Sequence, residues 1–231
     1  MSAGRSAVSS TATRAIKLYT NPGSRGKIPE WYLGELGLPY DPILMDMRAG
    51  DHRKPAFLAI NPFGKVPALT DGDVKLFESG AILLYLAQTY AGPLRAEDMQ
   101  WTLFANSTMC DAFFNASQRA QMPVVLKTLN GLLTSKKYLT GDEFAVSDVA
   151  DSSSALSDLS SVSWPGAPKF NRALHQWTSP TVLPSFPRYM KDIVARPACP
   201  APYKEAMAGA VAEVEKQNGG GGFLGKLFGG R

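Results

Sequence analysis

The chain has 231 residues, 45% of them hydrophobic, and a formal net charge of +4. That is enough apolar material for a well-buried core in one large domain or two smaller ones. The basic excess sits at the ends, on Arg5 and Arg14 and on Lys216, Lys226 and Arg231, and the body between is close to neutral, which argues against a nucleic-acid-binding face there.

The first fifteen residues are rich in Ser, Thr and Ala and carry no acid. They read as a short disordered tail, with an organellar transit peptide as the alternative. AIKLYT is a short strand in which Ile16 and Leu18 alternate with polar neighbours. Asn21-Pro22-Gly23-Ser24 is a turn. A helix carrying Ile28, Trp31, Tyr32 and Leu36 follows, with Pro29 near its start, and Gly37 and Pro39 end it. PYDPILMDM is a second strand, so the first fifty residues read as a parallel strand–helix–strand unit.

PAFLAI forms a short helix. KVPAL and VKLF are two strands joined by the hairpin signal Asp71-Gly72-Asp73, and a helix from Ser79 to Tyr90 comes next. The order predicts a small mixed sheet covered by helices, over 16–90. A linker near Ala91-Gly92-Pro93 then leads to a second unit, 97–216, in which apolar residues recur at helical spacing and no strand is evident. Residues 217–231 read as a flexible Gly-rich tail, for which an unstructured state is preferred to membrane contact.

Two cysteines, Cys110 and Cys199, and two histidines, His52 and His175, stand in no metal or redox spacing. No apolar run reaches membrane-spanning length.

Two features of the first unit point to a ligand. Val66-Pro67 interrupts an apolar run that otherwise reads as a strand, where proline removes a ladder donor. A cis bond there would turn the backbone N–H and C=O of Val66 outward, free to pair with an extended peptide. Glu78-Ser79 opens the apolar helix. Ser79 as N-cap, with the free N–H groups of that helix end, suits a carboxylate, and Glu78 suits an ammonium. One γ-glutamyl group carries both charges.

These residues resemble those of the cytosolic glutathione transferases. LYTNPGSRGKIPEWYLGELGLPYD, MRAGDHRKPAFLAINPFGKVPAL and ESGAILLYLAQTY are similar to three successive blocks of that superfamily. WTLFANSTMCDAFF, QMPVVLKTLNGLL, YLTGDEFAVSDVAD and FPRYMKDIVARPA are similar to its helical domain. The subclass resembled most is the chi class of cyanobacteria and their photosynthetic relatives.

The resemblance implies a thioredoxin-like α/β domain followed by an all-α domain, a homodimer, and a cytoplasmic location, or a plastid or mitochondrial one if residues 1–15 act as a transit peptide. It implies a transferase of detoxification and the stress response that joins reduced glutathione to small electrophiles. Glutathione is then a cosubstrate, with no cofactor or metal. Glu78 and Ser79 would hold its γ-glutamyl end, and Val66, set by Pro67, its cysteinyl backbone. His52, Arg53 and Lys65 would meet its glycine end. Ser24 would stabilise the thiolate, with Arg25 as the rival and Tyr19 third. Arg25, longer and one residue on, is expected to face solvent or the glycine end.

The chain departs from the family pattern in three places. Ala145 stands where Ser or Thr usually caps toward Asp148. The run from Ser152 to Ser163 is very polar for a buried helix. WPGAPKFNRALHQWTSP reads as irregular. A different class of function, a binding or assembly module with little or no catalysis, is the alternative that the polar run and the C-terminal tail favour.

Overall fold

The structure is a computed structural model, and it describes residues 15–114, 121–160 and 184–217. Four strands form one sheet: β1 Ile16–Thr20, β2 Tyr40–Leu44, β3 Ala68–Asp71 and β4 Val74–Phe77. Their order is β2-β1-β3-β4, with β1 parallel to β2 and antiparallel to β3, and β3 antiparallel to β4. Helix α1, Lys27–Glu35, makes the crossover between the parallel pair. A single helical turn, Asp51–Arg53, and the short α2, Pro55–Leu58, connect β2 to β3. Helix α3, Ser79–Leu86, follows β4 and runs on as a wide turn over Ala87–Ala91.

The two faces of the sheet explain its alternation. Ile16 and Leu18 of β1 and Leu69 of β3 are buried against Ile28, Trp31 and Leu33 of α1 and Ile82, Leu83 and Leu86 of α3. Tyr19 points the other way, its ring 5.6 Å from that of Phe57 in α2, among Met45, Ala68 and Val66. Both faces are thus covered, as a parallel pair requires.

Two sequence-based boundaries are corrected. Pro67 is not inside a strand: the ladder of β3 begins at Ala68, opposite Tyr19 and Phe77, so the missing N–H of proline costs no ladder bond. Ser79 is not the N-cap of α3 but its first helical residue. Glu78 holds the cap position with φ 69° and ψ 120°, and no side chain caps the helix.

The regular elements of the second unit are helices among its described residues, with one isolated antiparallel bridge, Tyr138 to Gly141, in a connection between two of them. Helix α4, Ala96–Phe104, opens into a wide turn, Ala105–Met109, and resumes as α5, Cys110–Phe114. Then come α6, Met122–Leu132; α7, Val146–Ser160; α8, Ser185–Val194; and α9, Ala201–Gln217. One apolar core runs through both units, from Leu18 and Trp31 to Met109, Leu129, Val149, Tyr189 and Tyr203.

Ala145 removes only half of the expected cap of α7. The Asp148 carboxylate still accepts the Ala145 N–H at 2.8 Å, and it also accepts the Leu139 N–H at 3.0 Å and the Tyr189 hydroxyl at 3.1 Å. What alanine lacks is the reciprocal side-chain acceptor. The polar run behind it enters the core: Asp151, Ser152 and Ser153 are buried. The rest of that run and WPGAPKFNRALHQWTSP lie outside the described side chains.

Candidate functional site

The turn after β1 is tied by its own side chains. The Asn21 carboxamide oxygen accepts the Gly23 N–H at 3.0 Å, and its nitrogen donates to the Met45 carbonyl at 3.1 Å. Ser24 donates its hydroxyl proton to the Asn21 carbonyl at 2.7 Å, and its oxygen accepts the N–H groups of Gly26 at 3.0 Å and Asn21 at 3.3 Å. Ser24 is therefore half-buried at the head of α1, with its proton facing a backbone oxygen. To donate to a thiolate it must rotate that proton away, which leaves both accepted bonds intact. Gly26 permits the arrangement, since a Cβ there would come within 1.9 Å of Thr20 Oγ1.

Arg25 does not face solvent or the glycine end, and that expectation is corrected. Its guanidinium reaches across to the start of α3 and into the helical unit. Nη2 donates to Ser79 Oγ at 3.4 Å and to Asn106 Oδ1 at 2.6 Å, and Nη1 donates to Cys110 Sγ at 3.1 Å. A long side chain follows the nearest acceptors, and those lie 54, 81 and 85 residues along the chain. That separation hides them from any local reading of the sequence.

Ser79 is buried and donates its own proton to Asn106 Oδ1 at 2.9 Å. Glu78 beside it is exposed and is the one non-glycine residue with positive φ among the described residues. For a residue with a Cβ this backbone state is strained, by about 1–3 kcal/mol. It turns the Glu78 carboxylate outward at the mouth of α3. The first N–H groups of the helix, the Arg25 cation and this exposed carboxylate thus lie within one short stretch. The arrangement suits a group bearing both signs of charge.

The Val66-Pro67 bond is cis. Val66 lies just before the β3 ladder, half-buried, while Lys65 is exposed. Buried Asn61 shapes this loop: its Nδ2 donates to the Lys65 carbonyl at 2.6 Å and its Oδ1 accepts the Phe63 N–H at 3.0 Å. Gly64, with φ 61°, sits so close to the His52 carbonyl that a Cβ would lie 2.9 Å from it. The His52 turn and the Val66 loop are therefore neighbours. His52 Nε2 accepts from Arg53 Nε at 3.2 Å, and its Nδ1 is buried with no partner among the described residues.

The structure thus joins Ser24, Arg25 and Ser79 around the head of α1, and His52, Arg53, Lys65 and Val66 around the cis-proline loop. Tyr19 is spent in packing against Phe57. Sequence reasoning missed Asn106, Gly26 and Asn61. Only Asn61 left a local signal, in the Asn-Pro-Phe-Gly turn.

Residues 14–88 match the family described as glutathione S-transferase, N-terminal domain. A glutathione S-transferase of Hyoscyamus muticus is 35% identical over 125 residues, which are 52% of this chain and 59% of that relative. The glutathione S-transferase PARB of Nicotiana tabacum is 33% identical over 167 residues, 58% of this chain and 78% of that relative. Among solved structures, the glutathione transferase URE2P6 of Phanerochaete chrysosporium in complex with oxidized glutathione superposes with a TM-score of 0.65. That match is 24% identical and covers 86% of this chain and 98% of the other.

Proposed function

The chain belongs to the glutathione S-transferase family, and from that premise we propose that it binds reduced glutathione along the path from Ser79 to His52 and joins its sulfur to small electrophiles. One observation carries the reading. The cis Val66-Pro67 loop, the strained Glu78 with Ser79 at the mouth of α3, and the cation of Arg25 are brought to the sheet end where Ser24 opens α1.

Each residue then has a task. The α-carboxylate of the γ-glutamyl group takes the first N–H groups of α3 and the Arg25 guanidinium. Its ammonium takes Glu78. The cysteinyl backbone pairs with Val66, and the glycine carboxylate takes the exposed cations of Arg53 and Lys65, with His52 beside them. Ser24 rotates its hydroxyl from the Asn21 carbonyl to the sulfur. A hydrogen bond to an anion contributes about 1.5–3 kcal/mol, and lowering a thiol pKa by about 2 units needs roughly 2.7 kcal/mol. Ser24 therefore supplies most of the shift. The thiolate attacks an electrophilic carbon and a C–S bond forms; an aryl halide then loses halide with the bonding pair, whereas an isothiocyanate takes a π pair onto nitrogen, which gains a proton.

The chi subclass and a homodimer belong to the same proposal. For the dimer, support comes from exposed Phe63, Met99, Leu103 and Val124 and from an apolar cleft of about 250 Å³ between α4 and α6, lined by Trp101, Phe104 and Val125. Conjugation is tested with aryl halides and isothiocyanates, with and without reduced glutathione. A glutathione-dependent thioether from the halides or dithiocarbamate from the isothiocyanates is expected, and the absence of both would leave a binding module without catalysis.

A further inference from the structure

Asn106 stands outside every motif that suggested the site, yet it touches two of its parts. It lies on the wide turn between α4 and α5. Its Oδ1 accepts from Ser79 Oγ at 2.9 Å and from Arg25 Nη2 at 2.6 Å, while its Nδ2 donates to the Thr102 carbonyl at 2.8 Å. These partners fix the amide's orientation, because a flipped amide would set its N–H groups against both donors.

The chemistry of position 106 sets the charge of the site. The ion pairs among the described residues are Lys54–Asp51, Arg95–Asp98 and Arg196–Glu35, and Arg25 is in none of them. Its half-buried guanidinium is held by neutral acceptors: an amide, a hydroxyl and a thiol. An aspartate would fill the same space and accept the same two bonds, but it would lose the bond to the Thr102 carbonyl and cancel the charge. Gly80 makes the approach feasible, since a Cβ there would lie 3.1 Å from Asn106 Nδ2.

We propose that Asn106 is a positioning residue that holds Arg25 beside Ser79 with its charge uncompensated, ready for the γ-glutamyl carboxylate. The helical unit thereby completes a site otherwise built by the first unit. The inference rests on the glutathione reading above.

The test is Asn106→Asp, with calorimetry of two ligands: reduced glutathione and its analogue with a γ-aminobutyryl group, which lacks only that carboxylate. For glutathione, Kd and KM are expected to rise about tenfold, the scale of a hydrogen bond to a charged group. Little change in kcat is expected, and Kd for the analogue should match that of the unmodified protein. Equal weakening of both ligands, or none, overturns the proposal, because a purely structural tie responds that way. If Asn106→Asp fails to fold, Asn106→Ala decides, since it removes the acceptor that holds Arg25 and should weaken glutathione but not the analogue; equal effects overturn the proposal. If the unmodified protein binds no glutathione, the site reading falls and this inference with it. If it binds and Asn106→Asp is indifferent, only this inference falls.

Discussion

Glu78 holds φ 69° at the mouth of α3, where a glycine would be unstrained. Glu78→Gly should therefore stabilise the fold by about 1 kcal/mol while weakening glutathione through loss of the carboxylate. Urea denaturation and calorimetry on the same variant check both signs, and a variant that is less stable would remove strain from the account. Ser24 and Arg25 should divide cleanly. Ser24→Ala raises the pKa of bound glutathione and lowers turnover at neutral pH with affinity nearly intact. Arg25→Ala raises KM for glutathione with the thiol titration little moved, because its guanidinium sits at Ser79 rather than at the sulfur. The kcat and KM of the two variants across pH decide, and an Arg25→Ala variant that shifts the titration would return that residue to the thiolate. At this scale the sequence was legible where a local constraint leaves a mark, as in the cis Val66-Pro67 bond, while at Glu78-Ser79 it set the cap one residue late. It was silent on Asn106, whose role exists only through contacts 27 and 81 residues away.

Helix α7 carries acids into the core. Asp151 is fully buried with neither carboxylate oxygen hydrogen-bonded among the described residues, and burial, reinforced by the negative charge of Asp148, pushes its pKa up to about 8. Burial also raises Asp148, to about 6, against the pull of its backbone and Tyr189 hydrogen bonds. Tyr189, packed on the same helix and bonded to Asp148, is itself raised far, by burial first, and stays neutral. The folded state therefore holds protons on these acids more tightly than the unfolded chain, whose carboxylates titrate near 3.9. The cost of ionising them is absent below about pH 4, grows as pH rises, and is complete above about 8. Stability should fall from pH 5 to pH 8, and Asp151→Asn, isosteric and always neutral, should flatten that fall and stabilise the protein at pH 8 by a few kcal/mol. Urea midpoints at the two pH values check it, and parallel declines in both proteins would contradict it. The helix itself was expected from the resemblance of YLTGDEFAVSDVAD to the family's helical domain. The burial of Asp151, Ser152 and Ser153 ran against the pattern, because polar residues normally mark an exposed face.

Across the whole molecule, the two units share one core and a polar fastening. Arg196 meets Glu35 with two hydrogen bonds, at 2.9 and 2.6 Å, and its guanidinium lies 3.6 Å from the centre of the Phe144 ring. Trp31 donates to the same Glu35 at 2.9 Å, so α1, which opens at the candidate site, is anchored to the segment after α8. Arg196→Ala leaves Glu35 largely buried without its cation. It should destabilise by about 2 kcal/mol, seen as a lower thermal midpoint in one cooperative transition; an early separate transition of the first unit would show the units to be less coupled than the shared core implies. The two-unit architecture was legible because hydrophobic period changes from strand-like to helical after residue 90. The fastening was not, since Glu35 and Arg196 are 161 residues apart and each alone reads as a surface charge. The central claim, a stabilised glutathione thiolate over the head of α1, is tested most directly by the ultraviolet absorbance of the protein saturated with reduced glutathione, followed against pH. The account expects a thiolate midpoint about 2 units below the ordinary thiol value near 8.5, moved back up by Ser24→Ala. A midpoint equal to that of free glutathione would contradict it.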